Sequence, residues 1–340
     1  MLQIIIVYVI IIKQICIFKD MHTLIQIDEN FIEQNTVFPE LIEKLKRNFS
    51  NRNVIVPVRH HHDFPNPITN KDSTLLLMPA WNSGKDAGVK IVTVSPENGQ
   101  FNLPSINGTY IYFDAVNGTV KAILEAKSLT AKRTAATSAL ASSYLSREDS
   151  SSLLMIGTGS LAANLIMAHA SVRPIKNVFV WGRNFVKAQA ICDRLANESF
   201  TSTPIKTIQD KISEVAIISC ATLSETPLVF GKYLRAGQHI DLVGAYKKDM
   251  READNDTISR ASIFVDNLEG GLQESGDIFI PIKEGIINET DIKADLFHLC
   301  CSAKKGRITS EEITLFKSVG HALEDLTAAN YYYNKYVQSR

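Results

Sequence analysis

One stretch of this sequence has the spacing of a phosphate cradle. Met155-Ile156-Gly157-Thr158-Gly159-Ser160-Leu161-Ala162 ends an apolar run and opens a helical one, reading Gly-x-Gly-x-x-Ala. The first glycine permits a tight turn, the second lets a pyrophosphate approach the backbone, and the helix N-terminus stabilises its charge. The flanking strand and helix are the context this motif needs; a glycine turn without a ligand is the plain alternative. An acid about 20 residues after the glycines marks a site for NAD. Here the next strand ends Val180-Trp181-Gly182-Arg183-Asn184, with no acid. Arg183 can pair with a 2′-phosphate through a charge-assisted fork. That points to NADPH. NADH also fits if Arg183 is only a solvated loop residue.

Two basic residues stand where a cation is costly. Lys90 interrupts the apolar strand Val89-Lys90-Ile91-Val92, and burying it without a partner is unfavourable. Arg133 reads as lying in the first turn of a helix from about Thr130 to Leu145, where it opposes the helix dipole. Both want an anion, either a ligand's or a structural Asp or Glu. His60-His61-His62-Asp63 looks metal-like, and in a strand His60 and His62 share one face. No further ligand set with metal spacing accompanies them, so no metal is expected. Cys300-Cys301 reads as core packing rather than a redox pair. Tyr331-Tyr332-Tyr333 suits either a dimer interface or a terminal helix packing on its own domain.

The elements that must position these groups fall into two sets. Leu153 to Ile156, Val178 to Trp181, Val215 to Ser219, His239 to Val243 and Ser262 to Val265 are apolar strands alternating with helices such as Ala162 to Ala170 and Phe185 to Leu195. Strands this apolar are buried on both faces, as in a Rossmann-type, doubly wound parallel α/β sheet. Upstream, Asn53 to Arg59, Thr74 to Ala80, Val89 to Val94 and Thr109 to Asp114 read as strands of a mostly antiparallel sheet. Asn117-Gly118 is a hairpin signal. A final helical stretch opens at the capping box Thr309-x-x-Glu312 and packs back on this first unit. The expectation is a discontinuous second α/β domain (22–129 with 315–340) around a dinucleotide-binding domain (130–314).

Composition sets the outer limits. The chain has 340 residues, 45% apolar and 21% charged, ordinary for a globular protein of about two domains. Thirty-six basic residues balance 36 acidic ones, so there is no general attraction to nucleic acid or to an anionic membrane. Neither is expected as a partner. Five cysteines without a CxxC pair suit a reducing compartment, the cytoplasm. Residues 1–21 break the pattern with an apolar run from Ile4 to Ile12, shorter than the roughly 20 residues a membrane helix needs. The expectation is an apolar leader and a fold that starts at Met21. A short membrane anchor and a hydrophobic first strand are the other readings.

From about Val54 to Ala329 the chain resembles the ornithine cyclodeaminase/mu-crystallin family. The matching stretches are VPVR (56–59), LLLMPAW (75–81), GVKIVTV (88–94), LTAKRTAATSALA (129–141), MIGTGS (155–160), ESGD (274–277) and EEITLFKSVGHALEDL (311–326). The resemblance implies a homodimer with the active site between the two domains. It implies that Arg59, Lys90 and Arg133 form the catalytic set and hold a substrate carboxylate. With the motif, it gives a cofactor set of Gly157, Thr158, Gly159, Ser160, Leu161, Arg183, Asn184, Thr222 and Ser318. Ser318 could also cap the final helix.

The family carries out several reactions. Its cyclodeaminases resemble one another in a Val-Gly-Gly-Asp stretch whose Asp handles the amine protons. Here the stretch is Asp241-Leu242-Val243-Gly244-Ala245-Tyr246, with Tyr246 in the place of that Asp. A phenol with a pKa near ~10 is a poor base at neutral pH. Lys248-Asp249-Met250-Arg251-Glu252-Ala253-Asp254 is similar to the bacterial Δ1-pyrroline-2-carboxylate reductases, which make L-proline, often within hydroxyproline breakdown. The resemblance therefore implies reduction of a cyclic imino acid, with pyrroline and piperideine rings both open. It leaves Lys90 as proton donor or as carboxylate ligand only. An amino-acid dehydrogenase and a non-catalytic NADP(H)-binding protein are the alternatives.

If Arg183 reads the 2′-phosphate, Arg183→Asp raises KM for NADPH by about tenfold, one charge-assisted contact, and raises KM for NADH much less. Steady-state kinetics with both cofactors checks this, and equal effects on the two contradict it.

Overall fold

The structure, a computed structural model, describes residues 24–340. The leader and the start at Met21 lie outside the described residues. Two sheets organise the rest. The first contains β1 (Ile25–Ile27), β2 (Val54–Ile55), β3 (His60–Phe64), β4 (Ser73–Asn82), β5 (Asp86–Val94), β6 (Ile106–Asp114) and β7 (Val120–Glu125). Its order is β1-β7-β6-β5-β4-β2, with β3 also on β4. All its pairings are antiparallel except the β1–β7 edge. Asn117-Gly118 turns β6 into β7 as expected, with Gly118 at φ +75°, a conformation glycine adopts at little cost.

The second sheet contains β8 (Ser152–Ile156), β9 (Asn177–Trp181), β10 (Thr201–Pro204), β11 (Ile217–Cys220), β12 (His239–Leu242), β13 (Ser262–Val265), β14 (Ile292–Asp295) and β15 (Thr314–Lys317). Its order is β10-β9-β8-β11-β12-β15-β13-β14 and every pairing is parallel. This is the Rossmann-type doubly wound sheet expected, and β11, β12 and β15 are buried throughout.

The helices are α1 (Glu29–Asn35), α2 (Phe38–Asn51), α3 (Ala126–Leu145), α4 (Ala162–Val172), α5 (Phe185–Arg194), α6 (Asn255–Arg260), α7 (Leu268–Gln273), α8 (Gly276–Lys283), α9 (Leu296–Cys300) and α10 (Ala322–Gln338). Helix α3 leads from one sheet to the other and is buried almost end to end. Its small residues, among them Ala135, Ala136, Ala139 and Ala141, let α2, α4 and α10 approach closely. Among the described residues no helix is long and apolar enough to cross a membrane.

Four local expectations are corrected. Helix α3 begins at Ala126, because the Glu125 carboxylate caps it by accepting from the N–H groups of Lys127 and Ser128 at 2.7 Å. Arg133 is therefore well inside the helix, and the dipole argument does not apply to it. The turn at Thr309–Glu312 does form, with Glu312 N donating to Thr309 Oγ1 (3.2 Å) and Ile308 N to Glu312 Oε2 (2.7 Å). It launches β15 rather than a helix, since Thr314–Lys317 is buried between β12 and β13. The parallel sheet thus keeps the chain past residue 314, and α10 starts only after Gly320, at φ +84°. Strand pairing covers Val54–Ile55 alone, so Arg59 follows a short strand instead of ending a long one. Cys300 is buried but Cys301 is exposed. As for the tyrosines, Tyr331 and Tyr332 are buried in their own domain.

Asp241 on β12 ties several elements together. Its carboxylate accepts from Ser138 Oγ of α3 (2.9 Å) and Ser219 Oγ of β11 (2.8 Å), and lies 3.1 Å from His169 Nε2 of α4. Burial alone would raise its pKa, but the bonds from His169 and Ser219 hold it below the usual carboxylate range. Asp241→Ala leaves these groups unpaired in the core and is expected to cost about 3 kcal/mol of stability, read as a fall in thermal midpoint. A loss below about 1 kcal/mol, the size of a surface change, contradicts the account.

Candidate active site

The glycine turn follows β8 at the carboxyl edge of the parallel sheet. Gly157 has φ +121°, and a Cβ there would lie 2.5 Å from the Ala221 carbonyl oxygen, so no other residue fits. A Cβ on Gly159 would meet nothing within 4 Å. The ground above the turn is open, as close approach by a pyrophosphate requires. Thr158 is held against the backbone of Gly182, where a Cβ would stand 2.4 Å from Thr158 Cγ2. Ser160 is exposed and Leu161 half-buried at the mouth of α4. These residues fit a dinucleotide.

Arg183 is exposed beyond β9, with no hydrogen bond or ion pair to its side chain among the described residues. Asn184 caps α5, its side-chain oxygen accepting from Val186 N at 2.9 Å. Thr222 follows β11 and donates through both N–H (2.7 Å) and hydroxyl (2.9 Å) to Glu252. Ser318 follows β15 and its hydroxyl donates to Asp266 (3.1 Å); it caps no helix. All these positions border the same sheet edge.

The basic trio converges from three elements, yet not as three free cations. Lys90 on β5 is 3% exposed and Arg133 on α3 4%. Both meet the Asp325 carboxylate of α10, Lys90 Nζ at 2.9 Å and Arg133 Nε at 2.9 Å. Arg133 Nη1 also donates to Glu324 at 2.5 Å. The structural partners considered for these cations are therefore present. Burial lowers the Lys90 pKa to about 8 against the pull of Asp325. Burial would lower Arg133 too, but Asp325 and Glu324 keep it above its ordinary value. Burial pushes Glu324 up to about 7, with Arg133 opposing. Asp325, flanked by two cations, stays below the carboxylate range although burial works the other way.

Arg59 differs. It lies at the wall of an interdomain cleft with Val58, Met78, Glu274, Gly320 and His321. Its contacts are long: 3.3 Å to Glu274 and 3.4 Å to the Gly320 carbonyl. Its Nε is buried without a partner. Burial raises the pKa of Glu274, only partly offset by Arg59. Met78 pairs directly with Lys90 across β4 and β5, and a Cβ on Gly320 would lie 2.9 Å from Arg133 Nη1. Lys90 and Arg133 thus form a layer beneath the cleft that Arg59 borders.

The acidic partners Glu274, Glu324 and Asp325 were not singled out from the sequence as site residues. The signal was present: Glu324-Asp325 sits in an apolar stretch of α10, as Lys90 sits in an apolar strand. The histidines of β3 are exposed, with His60 and His62 rings 6.2 Å apart. Among the described residues no group of three His, Cys, Asp or Glu side chains could hold a metal ion.

Residues 20–340 match the sequence profile of the ornithine cyclodeaminase/mu-crystallin family. The Delta(1)-pyrroline-2-carboxylate reductase of Colwellia psychrerythraea is 40% identical over 305 residues, 88% of this chain and 95% of that protein. The Thermococcus litoralis Delta(1)-pyrroline-2-carboxylate reductase, solved with NADH and L-proline, is 33% identical and superposes with a TM-score of 0.86 over 93% of this chain and 98% of its own. An archaeal alanine dehydrogenase dimer with bound NAD is 25% identical, with a TM-score of 0.85 over 93% and 97% of the two chains. The glycine turn, the interdomain cleft and the match over residues 20–340 agree, and the chain belongs to the ornithine cyclodeaminase/mu-crystallin family.

Proposed function

We propose that this protein reduces a small cyclic imino acid, Δ1-pyrroline-2-carboxylate or Δ1-piperideine-2-carboxylate, to L-proline or L-pipecolate, as a cytoplasmic homodimer. NADPH is the proposed cofactor, with NADH also accepted. One observation carries the reading: a loosely held, cleft-facing Arg59 stands over a buried Lys90–Asp325–Arg133 layer, beside the edge of a dinucleotide-type sheet. The bound NADH and L-proline of the Thermococcus enzyme support the same pairing of ligands. The exposed, unpaired Arg183 supports NADPH.

The nicotinamide cofactor, when bound, supplies the hydride. The chain's own residues do the rest. Arg59 exchanges its long contact to Glu274 for the substrate carboxylate, a charge-assisted bond of better geometry. Lys90 and Arg133, kept charged by Asp325, add a positive potential from below. A lysine held near 8 attracts a carboxylate at neutral pH and is also matched to proton transfer. Holding the imine carbon in place removes much of the entropic barrier. Tyr246 puts a phenol, not a carboxylate, where the family's cyclodeaminases carry Asp, which argues against cyclodeamination.

The test is NADPH oxidation with Δ1-pyrroline-2-carboxylate beside pyruvate plus ammonia. Turnover of the cyclic imine is expected to be the faster; turnover of pyruvate plus ammonia alone would make the protein an amino-acid dehydrogenase, and no turnover at all a binding protein. Lys90→Met is expected to cut kcat/KM for the imine about 100-fold or more, the scale of a mispositioned substrate. NADPH affinity by fluorescence titration is expected to change little, because the glycine turn is in the other domain. Near-parental kcat/KM in that variant would sink the site assignment.

The pH profile tests the same lysine. Lys90 loses its proton as pH rises through about 8, so its pull on the carboxylate is present below that pH and lost above it. The parental kcat/KM should fall on the alkaline side, and Lys90→Met should lack that limb. An identical limb in both proteins assigns it to another group.

A further inference from the structure

Two buried carboxylates at the sheet edge take no part in the mechanism above. Glu252 accepts at Oε1 from the N–H (2.7 Å) and hydroxyl (2.9 Å) of Thr222, and at Oε2 from the N–H groups of Gly244 (2.7 Å) and Ala245 (3.3 Å). One side chain thus gathers the loops that follow β11 and β12. These loops have no slack, since a Cβ on Gly244 would stand 1.9 Å from the Thr222 carbonyl oxygen. Thr222 in turn abuts the glycine turn: a Cβ on Gly157 would meet Thr222 Cγ2 at 3.3 Å. Glu252 is itself anchored. Asp277 accepts from its N–H at 2.7 Å, and Lys317, at the end of β15, lies 3.2 Å from Asp277 and 3.9 Å from Glu252.

Asp266, just past β13, faces the other way. Its Oδ2 accepts from Ser318 Oγ (3.1 Å), Val319 N (2.7 Å) and Gly320 N (2.6 Å). Gly320 is the residue whose carbonyl meets Arg59 and on which a Cβ would stand 2.9 Å from Arg133 Nη1. Asp266 therefore shapes the wall of the cleft on the substrate side.

We infer that Glu252 and Asp266 are positioning residues with divided tasks. Glu252 sets the cofactor seat through Thr222 and Gly157. Asp266 sets the loop that frames the substrate carboxylate through Gly320 and Arg59. The inference rests on the reading that the cofactor lies at the glycine turn and the imino acid beside Arg59.

The isosteric changes Glu252→Gln and Asp266→Asn separate these tasks, because each turns an NH2 group toward N–H donors and loosens only the loops that its own carboxylate holds. Glu252→Gln is expected to weaken NADPH binding about tenfold in a fluorescence titration, with KM for the imino acid at saturating cofactor within about twofold. Asp266→Asn is expected to shift the balance the other way: KM for the imino acid rises about tenfold, while the NADPH dissociation constant, reached only through the Ser318 hydroxyl, rises no more than about threefold. Variants that melt lower but keep parental constants would show purely structural roles and overturn the inference, as would equal effects on both ligands. If Glu252→Gln does not fold, Glu252→Asp keeps the charge beside Lys317 and withdraws the oxygens by one methylene. A parental NADPH affinity in that variant overturns the Glu252 assignment. Failure of the underlying reading looks different, since the parental protein would then neither bind NADPH or NADH nor turn over the imine.

Discussion

The Asp325 carboxylate between Lys90 and Arg133 is the contact on which the rest of the site depends. It joins three elements that are far apart in the chain: β5, α3 and α10. Removing two cations from water is expensive, and an anion between them is what makes their burial tolerable. The same arrangement restrains the cations without exhausting them. Asp325 is one charge against two, and Glu324, pushed up to about 7, offsets the surplus only in part at neutral pH. The floor of the cleft therefore keeps an attraction for one more carboxylate, while Arg59, less buried and poorly satisfied, is free to move to meet it.

Chain topology places this floor beside the cofactor edge. The chain leaves the antiparallel sheet through α3, builds the parallel sheet, and returns through β15 and Gly320 into α10. Lys317, Ser318, Gly320 and Asp325 thus lie on one short stretch that passes from the nucleotide half into the substrate half. Their neighbours on the sheet edge, Thr222 and Gly244, are held by Glu252 from behind. Backbone loops rather than long side chains carry most of this geometry, which suits a reaction that depends on placing a small ring against a flat cofactor.

Much of this was legible in the residues. The glycine turn, the parallel-strand runs and the Asn117-Gly118 hairpin are local signals, and the structure contains them. Lys90 announced a buried partner simply by interrupting an apolar strand. What could not be read was non-local. Strand β15 looked like the start of a helix because a capping-box turn precedes it, and only its neighbours β12 and β13 make Thr314–Lys317 a strand. Arg133 reads as a first-turn residue because no local signal marks Glu125, the last residue of β7, as the cap of α3. The pairing of Asp325 with two cations more than 190 positions away in the chain leaves no local trace beyond an acid pair in an apolar helix.

The central claim is that a substrate carboxylate replaces Glu274 on Arg59, above the Lys90–Asp325–Arg133 layer. A crystal structure of the protein with NADH and L-proline tests it most directly. The account predicts the proline carboxylate within about 3 Å of the Arg59 guanidinium and the Lys90 ammonium, Glu274 turned away, and Asp325 still between Lys90 and Arg133. A proline carboxylate bound elsewhere, with the Arg59–Glu274 pair intact, would contradict it.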